Sequence, residues 1–226
     1  MAKAPKPKVP RGPNAERRAA TREKIMQAAV RCLADFGYAA TSTPLVARLA
    51  KVSRGSLLHQ FPTKVDLIIG VAEYASAARG AKVREHLTPY PEGPDRFLHG
   101  VDAVWASLRE PAAIALMEVT IAARSDPELA ERYPQFAGDL EASLHRARIR
   151  MAENLGVPER LEEIEAVAHL TRVALNGLAM DSVFIGRTSP DEPKVIALLK
   201  DLRQRLVDEL KNGGPKSVGK IDHKPR

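Results

Sequence analysis

The sequence predicts an all-α protein of about nine helices, and three observations lead to that prediction. Apolar residues recur three and four positions apart along most of the 226 residues, as they do on one face of a helix. No stretch shows the strict alternation of apolar and polar residues that is typical of a half-buried strand. Prolines and glycines stand between the periodic segments, where they end one helix and allow the next to start.

The N-terminus predicts a flexible basic arm over residues 1–18, followed by the first helix from Thr21. The first 13 residues mix lysine and arginine with proline, a composition that cannot bury enough apolar surface to fold alone. Gly37 ends the predicted helix, because glycine readily adopts the positive φ that a helix C-terminus often needs. The apolar stripe of this helix consists of Ile25, Ala28, Ala29, Cys32, Leu33 and Phe36.

Two short helices and the start of a fourth helix are predicted next. Thr43 can cap the second helix and places Pro44 at its first position, where the missing N–H is not required. Ser53 can cap the third helix, Pro62 ends it, and Thr63 can cap the fourth. Two short helices joined by so brief a turn form a helix-turn-helix.

The remaining helices lie between the proline and glycine positions that follow residue 85. We place them at about 94–109, 112–124, 127–155, 159–186 and 191–211. Residues 212–226 are rich in glycine, lysine and proline, and we expect them to be a disordered tail.

Charge is distributed unevenly along the chain. Residues 1–64 hold 13 basic and 3 acidic side chains, a balance of +10, whereas residues 65–210 hold 17 and 24, a balance of −7. A basic segment before an acidic body indicates that the N-terminal end meets a polyanion. The single cysteine, Cys32, excludes an internal disulfide, and no apolar stretch reaches the roughly 18 residues of a spanning helix. We therefore expect a cytoplasmic protein that does not contact a membrane.

The segment from Leu33 to Leu67 resembles the DNA-binding domain of the TetR family of transcriptional repressors. The resemblance implies a helix-turn-helix DNA-binding domain at 19–67 and a helical ligand-binding and dimerisation domain at 68–211. The matching residues are Leu33, Phe36, Gly37, Tyr38, Thr41, Ser42, Val46, Ala47, Ala50, Val52, Ser53, Arg54, Gly55, Leu57, His59, Phe61, Pro62, Lys64 and Leu67.

This resemblance, together with the chemistry of the positions, predicts which residues contact DNA. A recognition helix enters the major groove by its N-terminal residues, so Arg54, Gly55 and Ser56 should reach base edges. Helix N-termini suit phosphate oxygens. The predicted phosphate or base contacts are Ser42, Thr43, His59, Gln60 and Lys64.

Two positions depart from the family pattern. Lys51 stands where the family usually has glycine in the turn, so a lysine has to adopt a positive φ. Leu58 stands where a tyrosine often donates its hydroxyl to a phosphate. We expect His59 or Gln60 to compensate, and unchanged operator affinity after replacing both with alanine would contradict this. Tyr38 is expected to pack the first helix onto the second.

The C-terminal domain is predicted to bind a partner subunit and a small molecule. In the TetR family the last two long helices form a four-helix dimer interface, and residues 159–186 and 191–211 are similar to that pair. The same apolar stripes also have to serve the core of each subunit. The effector candidates are polar or aromatic residues on apolar segments: Trp105, Met117, Glu118, Phe136, His169, Asn176 and Met180. Glu118 would suit a cationic ligand.

The sequence carries no motif of an enzyme, and we expect no cofactor and no metal. It has no glycine-rich phosphate loop, no HExxH and no nucleophile elbow, and its six histidines are scattered. The expected function is therefore a ligand-responsive DNA-binding regulator. The alternative is an architectural or division-control protein that keeps the same DNA-binding head but is not regulated by a ligand.

Overall fold

The computed structural model describes residues 13–211, and within that range the chain forms nine α-helices and no strand. The prediction of an all-α fold is confirmed. The helices are α1 (Pro13–Ala40), α2 (Thr43–Leu49), α3 (Arg54–Gln60), α4 (Lys64–Leu87), α5 (Pro94–Leu108), α6 (Pro111–Ala122), α7 (Pro127–Asn154), α8 (Leu161–Ile185) and α9 (Glu192–Lys211), with a single 3₁₀ turn at Pro158–Arg160 before α8.

Helix α1 begins earlier than predicted, so the expected flexible arm is wrong for residues 13–18. Pro13 stands at the start of the helix, where its fixed φ suits a first helical position. Glu16 lies in the first turn, where a negative charge stabilises the positive end of the helix dipole. The rest of the arm, residues 1–12, and the predicted tail, residues 212–226, lie outside the described residues.

The contacts divide the described chain into two units, and neither unit is one continuous stretch. The first consists of residues 13–75 with Ile114–Arg132, and the second of Ser76–Ala113 with residues 133–211. The domain limits at residues 67 and 211 given by the sequence remain predictions.

The core of the first unit joins the three N-terminal helices. Helix α1 packs against α2, and α2 packs against α3. Ile25, Leu33, Val46 and Leu57 are fully buried there, as the helical spacing predicts. Cys32 is also buried, and burial raises the pKa of its thiol. The rigid packing of α1, α2 and α3 fixes the orientation of the α3 N-terminus.

The core of the second unit lies where α5, α8 and α9 pack together, with Phe97, Ile164 and Val207 buried. Arg203 is buried in the same region and donates from Nη1 to the carbonyl oxygen of Phe97 at 2.5 Å. Burial lowers the pKa of Arg203 to about 10, because a low-dielectric surrounding disfavours the charged form. Gly100 makes room for this side chain, since an added Cβ would overlap Nη1.

No helix between residues 13 and 211 has both the length and the apolar character needed to cross a bilayer. Over the same residues, no three His, Cys, Asp or Glu side chains come together in a way that could hold a metal ion.

Candidate nucleic-acid interface

Helices α2 and α3 form the predicted helix-turn-helix, and two serines cap them. The Ser42 hydroxyl accepts the Leu45 N–H at 3.4 Å, so the cap of α2 lies one residue before the predicted Thr43. The Ser53 hydroxyl accepts the Ser56 N–H at 3.1 Å, as predicted for α3. These caps satisfy helix N–H groups that would otherwise have no partner, and they fix where each helix begins.

The turn between the two helices contains the residue with a positive φ that was predicted at Lys51. Lys51 has φ 55°, and every other residue with a positive φ in the described chain is a glycine. Two backbone bonds hold the turn, from the Lys51 N–H to the Arg48 carbonyl at 3.2 Å and from the Val52 N–H to the Ala47 carbonyl at 3.0 Å. The turn therefore keeps its geometry without the usual glycine.

The N-terminus of α3 presents the predicted base-contact residues. Arg54 and Gly55 are exposed, and Ser56 is half-buried with its N–H committed to the cap. A Cβ added at Gly55 would meet nothing within 4 Å. Packing within the protein therefore does not require glycine at this position.

The surroundings of α3 are positively charged. Arg48, Lys51 and Arg54 are all exposed, and residues 41–60 contain no aspartate or glutamate. Because no acidic side chain from this segment offsets these charges, the surface suits the phosphates of a nucleic acid.

A cleft of about 220 Å³ lies between α1 and the end of α3, lined by Arg18, Ala19, Arg22, His59 and Gln60. The Gln60 amide donates to the Arg18 carbonyl at 3.4 Å, and the Arg22 guanidinium lies 4.7 Å from the centre of the Phe61 ring. His59 is exposed at this cleft. Arg18 and Arg22 were not predicted from the sequence, although their helical spacing within the basic segment could have indicated one face.

Lys64, at the start of α4, lies against the end of α1. Its ammonium donates to the Tyr38 carbonyl at 3.4 Å and sits 4.1 Å from the centre of the Tyr38 ring. Thr63 and Asp66 cap this helix reciprocally, since the Thr63 hydroxyl accepts the Asp66 N–H at 3.0 Å and the Asp66 carboxylate accepts the Thr63 N–H at 3.0 Å. The phosphate contacts assigned to Lys64, Ser42 and Thr43 stay predictions.

Polar contacts connect the DNA-binding head, which consists of α1 to α3 and the start of α4, to α6, to α7 and to the loop between them. All of these residues belong to the first unit. Glu118 accepts the Tyr38 N–H at 2.9 Å, and the Tyr38 hydroxyl donates to the Asp126 carboxylate. Arg132 forms an ion pair with Asp66. Burial, together with the Asp126 hydrogen bond, raises the pKa of Tyr38, and the Tyr38 hydroxyl holds the pKa of Asp126 below its usual range.

The seven effector candidates are divided between the two units. Met117 and Glu118 belong to the first unit, where Glu118 is engaged by Tyr38. The other five belong to the second unit. Trp105 donates a hydrogen bond to Glu192 at 2.8 Å, and Asn176 donates one to the Arg172 carbonyl. Phe136 is buried beside Tyr133, Met180 is half-buried and His169 is exposed. Their assignment to a ligand stays a prediction.

Residues 25–71 match the model of the family described as bacterial regulatory proteins, tetR family. This match covers α2, α3 and the parts of α1 and α4 that pack on them, which is the helix-turn-helix described above. Residues 25–71 therefore form a TetR-family DNA-binding domain.

Two further comparisons extend beyond the head. The HTH-type transcriptional repressor AcnR of Corynebacterium efficiens is 25% identical over 139 residues, which cover 59% of this chain and 65% of AcnR. A crystal structure of a transcriptional regulator from Rhodococcus sp. Rha1 superposes with a TM-score of 0.60 at 19% identity, covering 87% of this chain and 98% of that chain. This structural likeness shows the fold.

A third comparison is with a structure that contains a small molecule. The multidrug binding protein EbrR, crystallised with imidazole, has a TM-score of 0.53 at 19% identity and covers 93% of this chain and 99% of its own. This likeness also shows the fold alone.

Proposed function

We propose that the protein is a ligand-responsive, sequence-specific DNA-binding transcriptional regulator, a repressor that a small molecule releases from a palindromic operator. The exposed N-terminus of α3 carries the proposal, because Arg54 and Gly55 stand there on a surface without acidic neighbours in residues 41–60. Arg54 can offer two parallel hydrogen bonds to a guanine, and Gly55 lets the DNA backbone come close.

A palindromic operator requires two heads, and exposed apolar residues on α8 and α9 support a homodimer through residues 159–186 and 191–211. Leu170 and Val173 on α8 are 48% and 50% exposed, and Leu198 on α9 is 67% exposed. A Cβ at the exposed Gly177 would meet nothing within 4 Å, so a second copy could approach α8 closely. Burying such residues against a two-fold partner would stabilise the dimer.

Ligand response is supported by the family and by EbrR, which is described as a multidrug binding protein. A ligand regulates such a dimer only if it binds one separation of the two heads more tightly than the other. The relatives are named as transcriptional regulators, and we accordingly propose no enzymatic activity.

The test is a selection of random DNA by the purified full chain, repeated with Arg54→Ala and over a salt series. We expect a palindromic motif with half-sites about 34–36 Å apart, and loss of roughly 1–3 kcal/mol of discrimination at one base position in the variant. Arg124→Ala, an exposed arginine outside the head surface, is the matched control and should select the same motif.

The opposite outcome has a distinct signature. The selection could instead recover no motif, with an affinity for DNA that falls steeply with salt and equally for every sequence. This result would show that the basic head binds phosphates without recognising bases. The architectural function would then replace the regulator.

A further inference from the structure

Two arginines in the second unit lack an acidic partner, unlike Arg148 and Arg160 of the same unit. The Nε atoms of Arg79 on α4 and Arg172 on α8 are buried from solvent and have no hydrogen-bond partner in the described chain. Neither guanidinium lies within 4.0 Å of a carboxylate of residues 13–211. Among residues 13–211, the guanidinium of Arg172 forms one side-chain hydrogen bond, with its Nη2 lying 3.1 Å from Nδ1 of His169.

The positive charge of Arg172 acts on the Arg79 guanidinium. Burial lowers the pKa of Arg79, and the positive charge of Arg172 lowers it further. A cation is disfavoured both by loss of water and by a second cation nearby. Without a bound counter-ion, this arrangement therefore lowers the stability of the folded protein. Buried polar groups in native structures almost always have a partner, and an exception calls for an explanation.

Nearby acidic side chains are already engaged by other arginines. Glu141 accepts a hydrogen bond from Arg148 at 2.8 Å, and this bond is the main reason why the pKa of Glu141 is lowered, with smaller effects from Arg172 and His169. Because Glu141 is committed to Arg148, the protein itself leaves the positive charge of Arg79 and Arg172 without a bonded counter-ion.

We propose that Arg79 and Arg172 bind the oxyanion group, a carboxylate or a phosphate, of the small molecule that regulates this protein. The planar guanidinium offers several N–H donors in a geometry that matches both groups, and charge-assisted bonds of this kind are about twice as strong as neutral ones. The inference rests on the proposed ligand response and gives its chemical class as anionic, whereas the Glu118 candidate would have indicated a cation. Bound oxyanion would satisfy the buried Nε donors and separate the two positive charges.

The first experiment measures thermal unfolding of the full chain with benzoate, with inorganic phosphate, with neutral benzamide, and with sodium chloride at equal ionic strength. We expect at least one oxyanion to raise Tm saturably by about 3 °C or more, with no such rise for benzamide or chloride. A rise with benzoate alone identifies a carboxylate, and a rise with phosphate alone identifies a phosphate. No rise with either oxyanion beyond that of chloride would overturn the proposal.

The second experiment supplies the missing anion from the chain itself. Arg79→Glu places a carboxylate near Arg172 and should raise Tm without ligand while abolishing the response to the probe that stabilises the wild type. Arg172→Met removes one of the two like charges and should also keep or raise Tm while losing the response. Arg187→Glu, an exposed arginine after α8, is the matched control and should keep the response.

A structural role for the pair gives the opposite pattern. If Arg79→Glu and Arg172→Met both lower Tm and the wild-type response to oxyanion persists in them, the two arginines hold the fold and bind no effector. The DNA selection separates this inference from the proposed function. If the protein selects an operator but binds no oxyanion, only the oxyanion inference is contradicted. If it binds an oxyanion but selects no operator, only the proposed regulator function is contradicted.

Discussion

The hydrogen bond between Tyr38 and Asp126 should couple the DNA-binding head to the loop between α6 and α7, and a double-mutant cycle can measure that coupling. Tyr38→Phe removes the donor, and Asp126→Asn removes the charge of the acceptor. Asp126 also caps α7 by accepting the Leu129 N–H at 3.1 Å, and asparagine keeps an oxygen for that bond. Because the asparagine oxygen can still accept the tyrosine hydroxyl, the cycle measures what the negative charge of Asp126 adds to this bond.

The size of the coupling follows from the charge and the partial burial of the pair. A hydrogen bond to a charged group contributes about 1.5–3 kcal/mol, and both residues here are half-buried, so we expect about 1–2 kcal/mol at pH 7. The Asp126 pKa is lowered in the folded state, so its contribution is present above the ordinary carboxyl pKa and is lost as the pH falls. The Tyr38 pKa is raised, so its contribution is lost as the pH rises above about 10.

The assay is urea unfolding of the wild type, the two single variants and the double variant at pH 7 and again near pH 3. The coupling should shrink at the lower pH, where Asp126 begins to protonate. Tyr90→Phe, whose ring stacks on His99 in the second unit, is the control and should change the free energy of unfolding by less than about 0.5 kcal/mol. A Tyr38–Asp126 coupling below about 0.5 kcal/mol at pH 7 would refute the reasoning.

Three further substitutions test the packing and the backbone. Gly70→Ala should lower the free energy of unfolding by about 1–3 kcal/mol, because the new Cβ would lie 2.9 Å from Cε1 of the buried Phe61; an unchanged Tm would contradict it. Gly100→Ala should cost a similar ~1–3 kcal/mol in urea unfolding, since the buried Arg203 occupies the space, and an Arg203→Met background should remove most of that cost. Lys51→Gly should stabilise the protein by about 0.5 kcal/mol in the same assay, because relief of the positive φ exceeds the added freedom of the unfolded chain, whereas a lower stability would show that the turn is unstrained.

The helix positions could be predicted well because they depend on local chemistry. The helix expected at 94–109 is Pro94–Leu108, and the one expected at 127–155 is Pro127–Asn154. Proline marks the start of each, and its fixed φ acts at one residue without help from the rest of the fold. The start of α1 was missed because proline and basic residues resemble a linker, although Pro13 suits the first position of a helix and the alanines that follow are good helix formers.

The candidate sites could be predicted only where a local motif defines them. The exposure of Arg54 follows from the Ser53 cap, which makes Arg54 the first residue of α3. The Glu118 contact with Tyr38 spans 80 positions, and the charge of Arg172 on α8 acts on Arg79 of α4, which lies 93 positions earlier. Helical periodicity shows which side of a helix is apolar but not which distant helix covers it, so contacts of this kind appear only in the folded structure.

Leu58 stands where the TetR pattern often has a tyrosine whose hydroxyl donates to a phosphate. A leucine cannot donate to a phosphate, and here Leu58 is half-buried. The Gln60 amide is engaged with the Arg18 carbonyl, which leaves His59 as the free polar side chain at the end of α3. Arg18 and Arg22 line the same cleft as His59, and guanidinium groups bind phosphate more strongly than a hydroxyl does. We therefore expect the compensation to come from His59 together with Arg18 and Arg22 of α1, rather than from Gln60.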